Sequence, residues 1–314
     1  AATALVAHSP LGHEAEPIAP IRLNQVGVLE SAGKLAVLPE ASTTPLAWTL
    51  EDRNGRVVLS GKTIVVGPDA ASGESLHQID FSAAPAGYGY RLKVGQRTSR
   101  PFAVDAHPYG RLKRDALAFF YQNRSGVAIE AKNGDDPKLA RPAAHAPDRA
   151  TCFNGQDQRG QVWAGCGYEL NASKGWYDAG DHGKYVVNGG ISAWTLVNYH
   201  ERLTVQGKQP DFADASQRIP EAGNGVSDLL DEARWELEFL LRMQVPPGVT
   251  MALPIGKQGQ GQLALTEVDA SGMAHQKLTD AYWTGIPTAP HEDPAPRYLY
   301  HPTTGATLNL AAVA

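Results

Sequence analysis

A chain of 314 residues with 42% hydrophobic and 19% charged residues is too apolar for a disordered or fibrous protein, and it exceeds one ordinary core, so two domains are expected. Its formal net charge of −5 includes no run of Lys or Arg that could follow a phosphate backbone, which argues against a nucleic-acid partner. No apolar stretch reaches the roughly 20 residues that cross a bilayer, so no membrane partner is expected. The first ten residues, AATALVAHSP, carry neither the basic nor the apolar region of a signal peptide. Small residues at the start fit a mature chain cut from one, although a recombinant start would look the same.

From Ile21 to about Val104 the sequence reads as short strands. IRLNQVGVLESAGKLAVL is β-branched and aliphatic, then broken at Gly33 and Pro39. LAWTLEDRNGRVVLSGKTIVV holds two strand-like runs around Asn54-Gly55, a strong hairpin-turn dipeptide. AGYGYRLKV alternates so that Tyr88, Tyr90, Leu92 and Val94 would share one face. Strands at this pitch predict an Ig-sized β-sandwich of about 100 residues. The boundary falls in RPFAVDAHPYG, giving domains 1–106 and 107–314.

After the boundary the period becomes helical. RLKRDALAFFYQ would bury Leu112, Ala116, Phe119 and Phe120, and a second helix is expected from about Ile191 to Leu203. SDLLDEARWELEFLLRMQ places Leu230, Ala233, Leu237, Leu240 and Leu241 on one stripe. Ser227 or Asp228 would cap this helix, with Asp231 and Glu232 near the positive end of its dipole. A fourth helix is expected after Pro302, in TTGATLNLAAVA. A helix that stops on an apolar face lacks a partner, so the chain is expected to be a fragment, a cleaved half or the ordered part of something longer.

Two cysteines, Cys152 and Cys166, stand in a loop rich in Gly, Gln and Asn. In an oxidising compartment they would close a ring of about 15 residues, worth about 3 kcal/mol. Free thiols or half of a zinc site are the alternatives.

GWYDAGDHGKYV, residues 175–186, is the richest segment chemically. Asp178 and Asp181 lie three apart in a Gly-rich turn, a spacing that directs both carboxylates toward one small volume. Crowding of carboxylates is how proteins obtain a base that works near neutral pH. Trp176, Tyr177 and Tyr185 add aromatic surface suited to sugar rings. Taken alone, Asp-x-x-Asp in a Gly-rich turn is more often a cap, an Asx-turn or a cation loop.

The whole string GWYDAGDHGKYVVNGGISAWTL resembles the Asp-Ala-Gly-Asp signature of glycoside hydrolase family 9, cellulases built on an (α/α)6 barrel. IRLNQVGVLESAGKLAVL resembles the start of the Ig-like domain that often precedes that barrel. IPEAGNGVSDLLDEARWELEFLLRMQ, Ile219 to Gln244, and PRYLYHPTTGATLNLAAVA resemble later barrel segments, in the family's order. The resemblance implies an Ig-like β-sandwich followed by the first part of an (α/α)6 barrel. It also implies inverting hydrolysis of β-1,4-glucosidic bonds in cellulose, related β-glucans or cello-oligosaccharides, outside the cell or in the periplasm.

By that resemblance Asp181 is the general base and Asp178 orients the attacking water. The general acid is a glutamate from a later segment that these residues do not contain, in the same chain or a second one. Tyr282 and Trp283 stand where sugar platforms are expected, with core packing the alternative for Trp283. Tyr177 would add to the sugar-binding surface. His182 would hydrogen-bond substrate or instead fix the loop. Catalysis needs no cofactor, but Glu221, Asn224 and Asp228 could hold a structural calcium, with plain helix capping as the alternative. Cys166 is followed by Gly167 rather than His, which breaks the zinc pattern of some relatives. The rival readings are an exo-β-glucosaminidase acting on chitosan oligomers and a non-catalytic carbohydrate-binding relative. The intact Asp178/Asp181 pair argues against the second.

Overall fold

A computed structural model describes residues 20–314; the reading of the first ten residues lies outside the described residues. The chain divides after Lys113 into two compact units.

In the first unit, β1 (Val28–Leu29), β3 (Ala47–Glu51), β4 (Val57–Lys62), β7 (Gly87–Val94), β8 (Arg97–Thr98) and β9 (Phe102–Asp105) form one sheet, and β2 (Leu35–Pro39), β5 (Ile64–Pro68) and β6 (Ser75–Asp80) the other. The sheet orders are β1-β9-β7-β3-β4, with β8 on β7, and β2-β6-β5. The turn between β3 and β4 forms as its residues dictate. Asp52 Oδ1 accepts the N–H groups of Asn54 and Arg56, and Gly55 takes φ +78°. Leu38, Trp48, Leu50, Ile79, Phe81 and Leu92 fill the core between the sheets, the arrangement of an Ig-like sandwich. One expected inward residue points out. Tyr90, Leu92 and Val94 are buried, but Tyr88 is 67% exposed. Gly89 at φ +70° and a register shift between Gly87 and Tyr90 break the alternation there.

Helix α1 (Gly110–Gln122) runs across the division, and the second unit continues with helices α2 (Val186–Val205), α3 (Asp228–Arg242) and α4 (Thr304–Val313). Around them run β10 (Arg149–Thr151), β11 (Asn154–Gln156), β12 (Val162–Ala164), β13 (Glu169–Asn171), β14 (Lys184–Tyr185), β15 (Thr250–Pro254), β16 (Leu265–Asp269), β17 (Lys277–Asp280) and β18 (Arg297–Leu299). They pair as β10-β13, β11-β12, β14-β17-β18 and β15-β16. Helix α2 packs against both α3 and α4. Cys152 and Cys166 are joined in a disulfide, with a Cα separation of 5.3 Å.

Three helical expectations need correction. Helix α1 buries Leu117 and Tyr121, while Leu112 and Phe119 are exposed, because the buried stripe lies one residue further along. Helix α2 begins at Val186 rather than Ile191 and absorbs Gly189 and Gly190. Those glycines are weak helix formers, but a Cβ on Gly189 would sit 1.9 Å from Glu236 Oε1, and one on Gly190 1.7 Å from Asn309 Oδ1. Only glycine lets α3 and α4 approach so closely. Helix α3 turns Leu241 outward and buries Glu232 and Glu236 instead. Its inner face is therefore partly ionic rather than aliphatic.

Candidate active site

The turn from Gly175 to Tyr185 is held by backbone bonds from three directions. Ser125 N–H donates to Gly175 O, Tyr177 N–H to Asn123 O and Asp178 N–H to Gly183 O, while Trp176 N–H donates to Glu236 Oε2. The glycines are steric requirements here. Gly175 has φ +80°, and a Cβ would lie 2.7 Å from Phe239. A Cβ on Gly183 would meet Tyr185 at 2.7 Å and Thr279 Oγ1 at 2.8 Å. The turn then enters β14, which pairs with β17 and delivers Tyr185 opposite Lys277.

Asp181 lies on the wall of a cleft of about 370 Å³, 5% exposed, with Tyr185 Oη donating to its Oδ2 at 3.1 Å. Burial, reinforced by the charge of Asp181, pushes the Tyr185 phenol up to about 12, so it stays protonated and remains a donor. Asp178 is exposed at the mouth of a neighbouring hollow of about 80 Å³, where its Oδ1 accepts from Asn188 Nδ2 at 2.8 Å. Tyr185 borders both spaces. The two carboxylates thus flank one tyrosine, one nearly enclosed and the other open.

Beneath the turn lies a layer of buried charge. Lys184 is fully buried and donates to Asp148 and to the carbonyls of Ala172 and Lys174. Arg297 forks onto Asp148, reaches Asp280 Oδ1 at 2.7 Å and donates to His182 O at 2.9 Å. Burial alone would raise the Asp148 carboxyl, but Lys184 and Arg297 outweigh it and hold it below the ordinary range. Removing one member of such a network costs about 3–5 kcal/mol, since a buried charge loses its partner. A second buried set fixes the entry to the turn. Arg124 pairs with Glu232 and Glu221, and Trp176 Nε1 donates to Glu232 at 2.8 Å.

The other residues singled out by sequence separate into two groups. Tyr282 and Trp283 line the cleft of Asp181 and are 57% and 70% exposed, so neither is a core residue. His182 and Tyr177 need correction as substrate contacts. His182 is 4% exposed, with its ring nitrogens 2.7 Å from Asp293 Oδ2 and 3.1 Å from Thr288 O, so it braces the loop. Tyr177 is buried with its hydroxyl 2.6 Å from His145 Nδ1.

Glu221, Asn224 and Asp228 do not fit a calcium cage. Glu221 is held by Arg124, while Asn224 Nδ2 donates to Asp231 and its Oδ1 accepts from Val226 N–H. Asp228 accepts from Ala215 N–H, Ser216 Oγ and Gln217 N–H, which makes it a clasp for the preceding loop. Another set of potential metal ligands exists: His182, Asp280 and Asp293 bring one ligand atom each within 4.8 Å of one another. Arg297, Thr284 and His182 already occupy these carboxylates. Sequence alone missed Lys277, Tyr300 and the buried ionic layer. They come together only because β14 pairs with β17 and β17 with β18, which joins segments distant in the chain.

Comparison with known proteins places this geometry. The family profile "Cellulase N-terminal ig-like domain" matches residues 16–99, and "Glycosyl hydrolase family 9" matches residues 109–314. Endoglucanase C of Cellulomonas fimi is 41% identical over 313 residues, covering 97% of this chain and 26% of that protein. Cellulose 1,4-beta-cellobiosidase of Acetivibrio thermocellus is 41% identical over 306 residues, covering 93% of this chain and 32% of that protein. A crystal structure of a metagenome-derived family 9 endoglucanase aligns with TM-score 0.70 and 31% identity, over 93% of this chain and 48% of that one. The chain thus spans about a third or less of the two curated relatives. It belongs to glycosyl hydrolase family 9, with an Ig-like β-sandwich followed by the first part of the family's (α/α)6 barrel.

Proposed function

We propose that these residues form the base side of an inverting hydrolase of β-1,4-glucans. The observation that carries this reading is Asp181 on the wall of a cleft that also exposes Tyr282 and Trp283. A glucan chain lying on those rings would bring an anomeric carbon within reach of a water held by Asp181. In the displacement, the water oxygen bonds to the anomeric carbon as the glycosidic oxygen departs, and Asp181 takes the water's proton. The anomeric configuration inverts. Asp178, steadied by Asn188, orients the same water from its exposed side. The departing oxygen needs a proton from a second carboxyl roughly 6.5–9.5 Å from the base. No glutamate lines the cleft among the described residues. Asp157 is held by Trp163 Nε1, which lowers its proton affinity, and Asp280 is pinned by Arg297. We therefore place the general acid outside these 314 residues, consistent with the greater length of the relatives. No cofactor takes part in these steps. The disulfide supports action in an oxidising compartment, outside the cell or in the periplasm.

The test is kinetic. In the enzyme that carries this chain, Asp181→Ala should cut kcat about 10²–10⁴-fold on cello-oligosaccharides with KM nearly unchanged, because the base acts in the transition state. Proton NMR should show the inverted anomer first. A normal kcat in Asp181→Ala alongside a dead Asp178→Ala would exchange the two roles, and retention of configuration would sink the mechanism.

A further inference from the structure

Lys277 is the group in the cleft whose chemistry nothing so far uses. It stands opposite Tyr185 in the β14–β17 pair, and its ammonium lies 5.1 Å from the Tyr185 ring centroid and 4.7 Å from that of Tyr300. Tyr300 is itself fixed by Phe153, stacked at 5.4 Å with an interplanar angle of 7°. Ring faces hold a cation in place but accept none of its hydrogen bonds in the ordinary sense. Among the described residues the ammonium has no hydrogen-bond or ion-pair partner. Burial lowers its proton affinity and Asp181 opposes that change, so the two groups sense each other across the cleft.

The charge balance of the cleft gives this placement a meaning. Arg159 adds a second, exposed cation to the lining. Of the lining carboxylates, Asp157 is taken by Trp163 Nε1 and the N–H groups of Arg159 and Gln161, and Asp280 by Arg297 and Thr284. A sugar in the cleft therefore meets one anion, Asp181, and two cations. Hydroxyls of a neutral pyranose accept readily from an ammonium. A 2-amino-2-deoxy sugar is itself an ammonium near neutral pH, and would meet repulsion where the neutral sugar finds a donor.

We propose that Lys277 is a specificity-determining residue: held by Tyr185 and Tyr300, it donates hydrogen bonds to a neutral glucosyl unit beside Asp181 and rejects glucosaminyl units. This rests on the β-glucan reading given above and narrows it, since it separates glucan from chitosan as substrate class.

The experiment is calorimetric titration of the complete enzyme that carries this chain, with Asp178→Ala in every sample to stop turnover and Lys277 wild type or substituted, using cellotetraose and the tetramer of glucosamine at pH 6. Wild type should bind cellotetraose at least about tenfold more tightly than the amino sugar, the size of one hydrogen bond to a charged group. Lys277→Met should weaken cellotetraose about tenfold and bring the ratio of the two affinities close to one. Lys277→Arg, which keeps the charge, should retain the preference. Lys277→Gln provides a second neutral variant should the methionine protein fold poorly. If both neutral variants keep the wild-type ratio while cellotetraose still binds, the role of Lys277 is overturned and the glucan reading stands. If wild type prefers the glucosamine tetramer, or binds neither sugar, both fall.

Discussion

Tyr185 shows how much a single side chain carries at this site. It donates to Asp181, supports Lys277 with its ring and borders the hollow of Asp178. With its phenol pushed up to about 12, it remains a donor throughout the range in which a carboxylate base works. Tyr185→Phe keeps the ring and removes only the hydroxyl. A hydrogen bond to a charged group contributes about 1.5–3 kcal/mol, so kcat in the complete enzyme should fall about 10- to 150-fold. KM should hold, because the ring under Lys277 is unchanged. A wild-type kcat would show that the 3.1 Å contact does not support the base. At this scale the sequence displays the Asp178–Asp181 pair and the exposed Tyr282 and Trp283, since each lies in a short motif of telling composition. His182 is read less well. It follows Asp181 directly, and only the fold brings Asp293 and Thr288 to its two ring nitrogens.

Helix α3 illustrates the same limit for an element. Its existence follows from periodicity, and the expected start at Ser227 or Asp228 is close to the observed one. The inward face follows only in part: Ala233 and Leu240 are buried as expected, but the same face carries Glu232 and Glu236, which a count of apolar residues assigns to solvent. Glu232 neutralises Arg124, and Glu236 braces the turn of Asp178 and Asp181 through Trp176 N–H. Burial pushes Glu236 up to about 8, well above the ordinary carboxylate range. Its folded-state affinity for a proton exceeds the unfolded one. The stabilisation is therefore complete below about pH 4.5 and is lost as pH rises through about 8. Glu236→Gln keeps an acceptor for Trp176 and cannot ionise. The variant should lose the part of the decline in melting temperature between pH 5 and pH 8 that Glu236 causes, a difference of up to a few kcal/mol. An unchanged slope would mean that Glu236 is ionised in both states across this range, its charge solvated or paired within the fold.

At the scale of the whole molecule, the strand-rich first unit and the helical second unit are both legible, because the period of the apolar residues changes from two to nearly four. The sandwich has a core of its own, with Leu38, Leu50, Ile79 and Phe81 at 0% exposure. It should fold as an isolated fragment, with one cooperative thermal transition for residues 1–113. The helical unit differs in its surface. Phe119, Ile191, Trp194 and Leu308 are 47–65% exposed, and Ile191 and Trp194 lie one turn apart on α2. Scattered apolar residues are ordinary on a surface, but large ones grouped on a helix favour association. The 314-residue chain should therefore bind the dye ANS, and light scattering should show dimers or larger species at micromolar concentration. The double variant Ile191→Lys/Trp194→Lys should reduce both signals, while the transition of the sandwich stays where it is in the fragment. A monomer without dye binding would mean that these side chains pack against something in solution. The exposed face of α2 would then have to be assigned a partner within the 314 residues themselves.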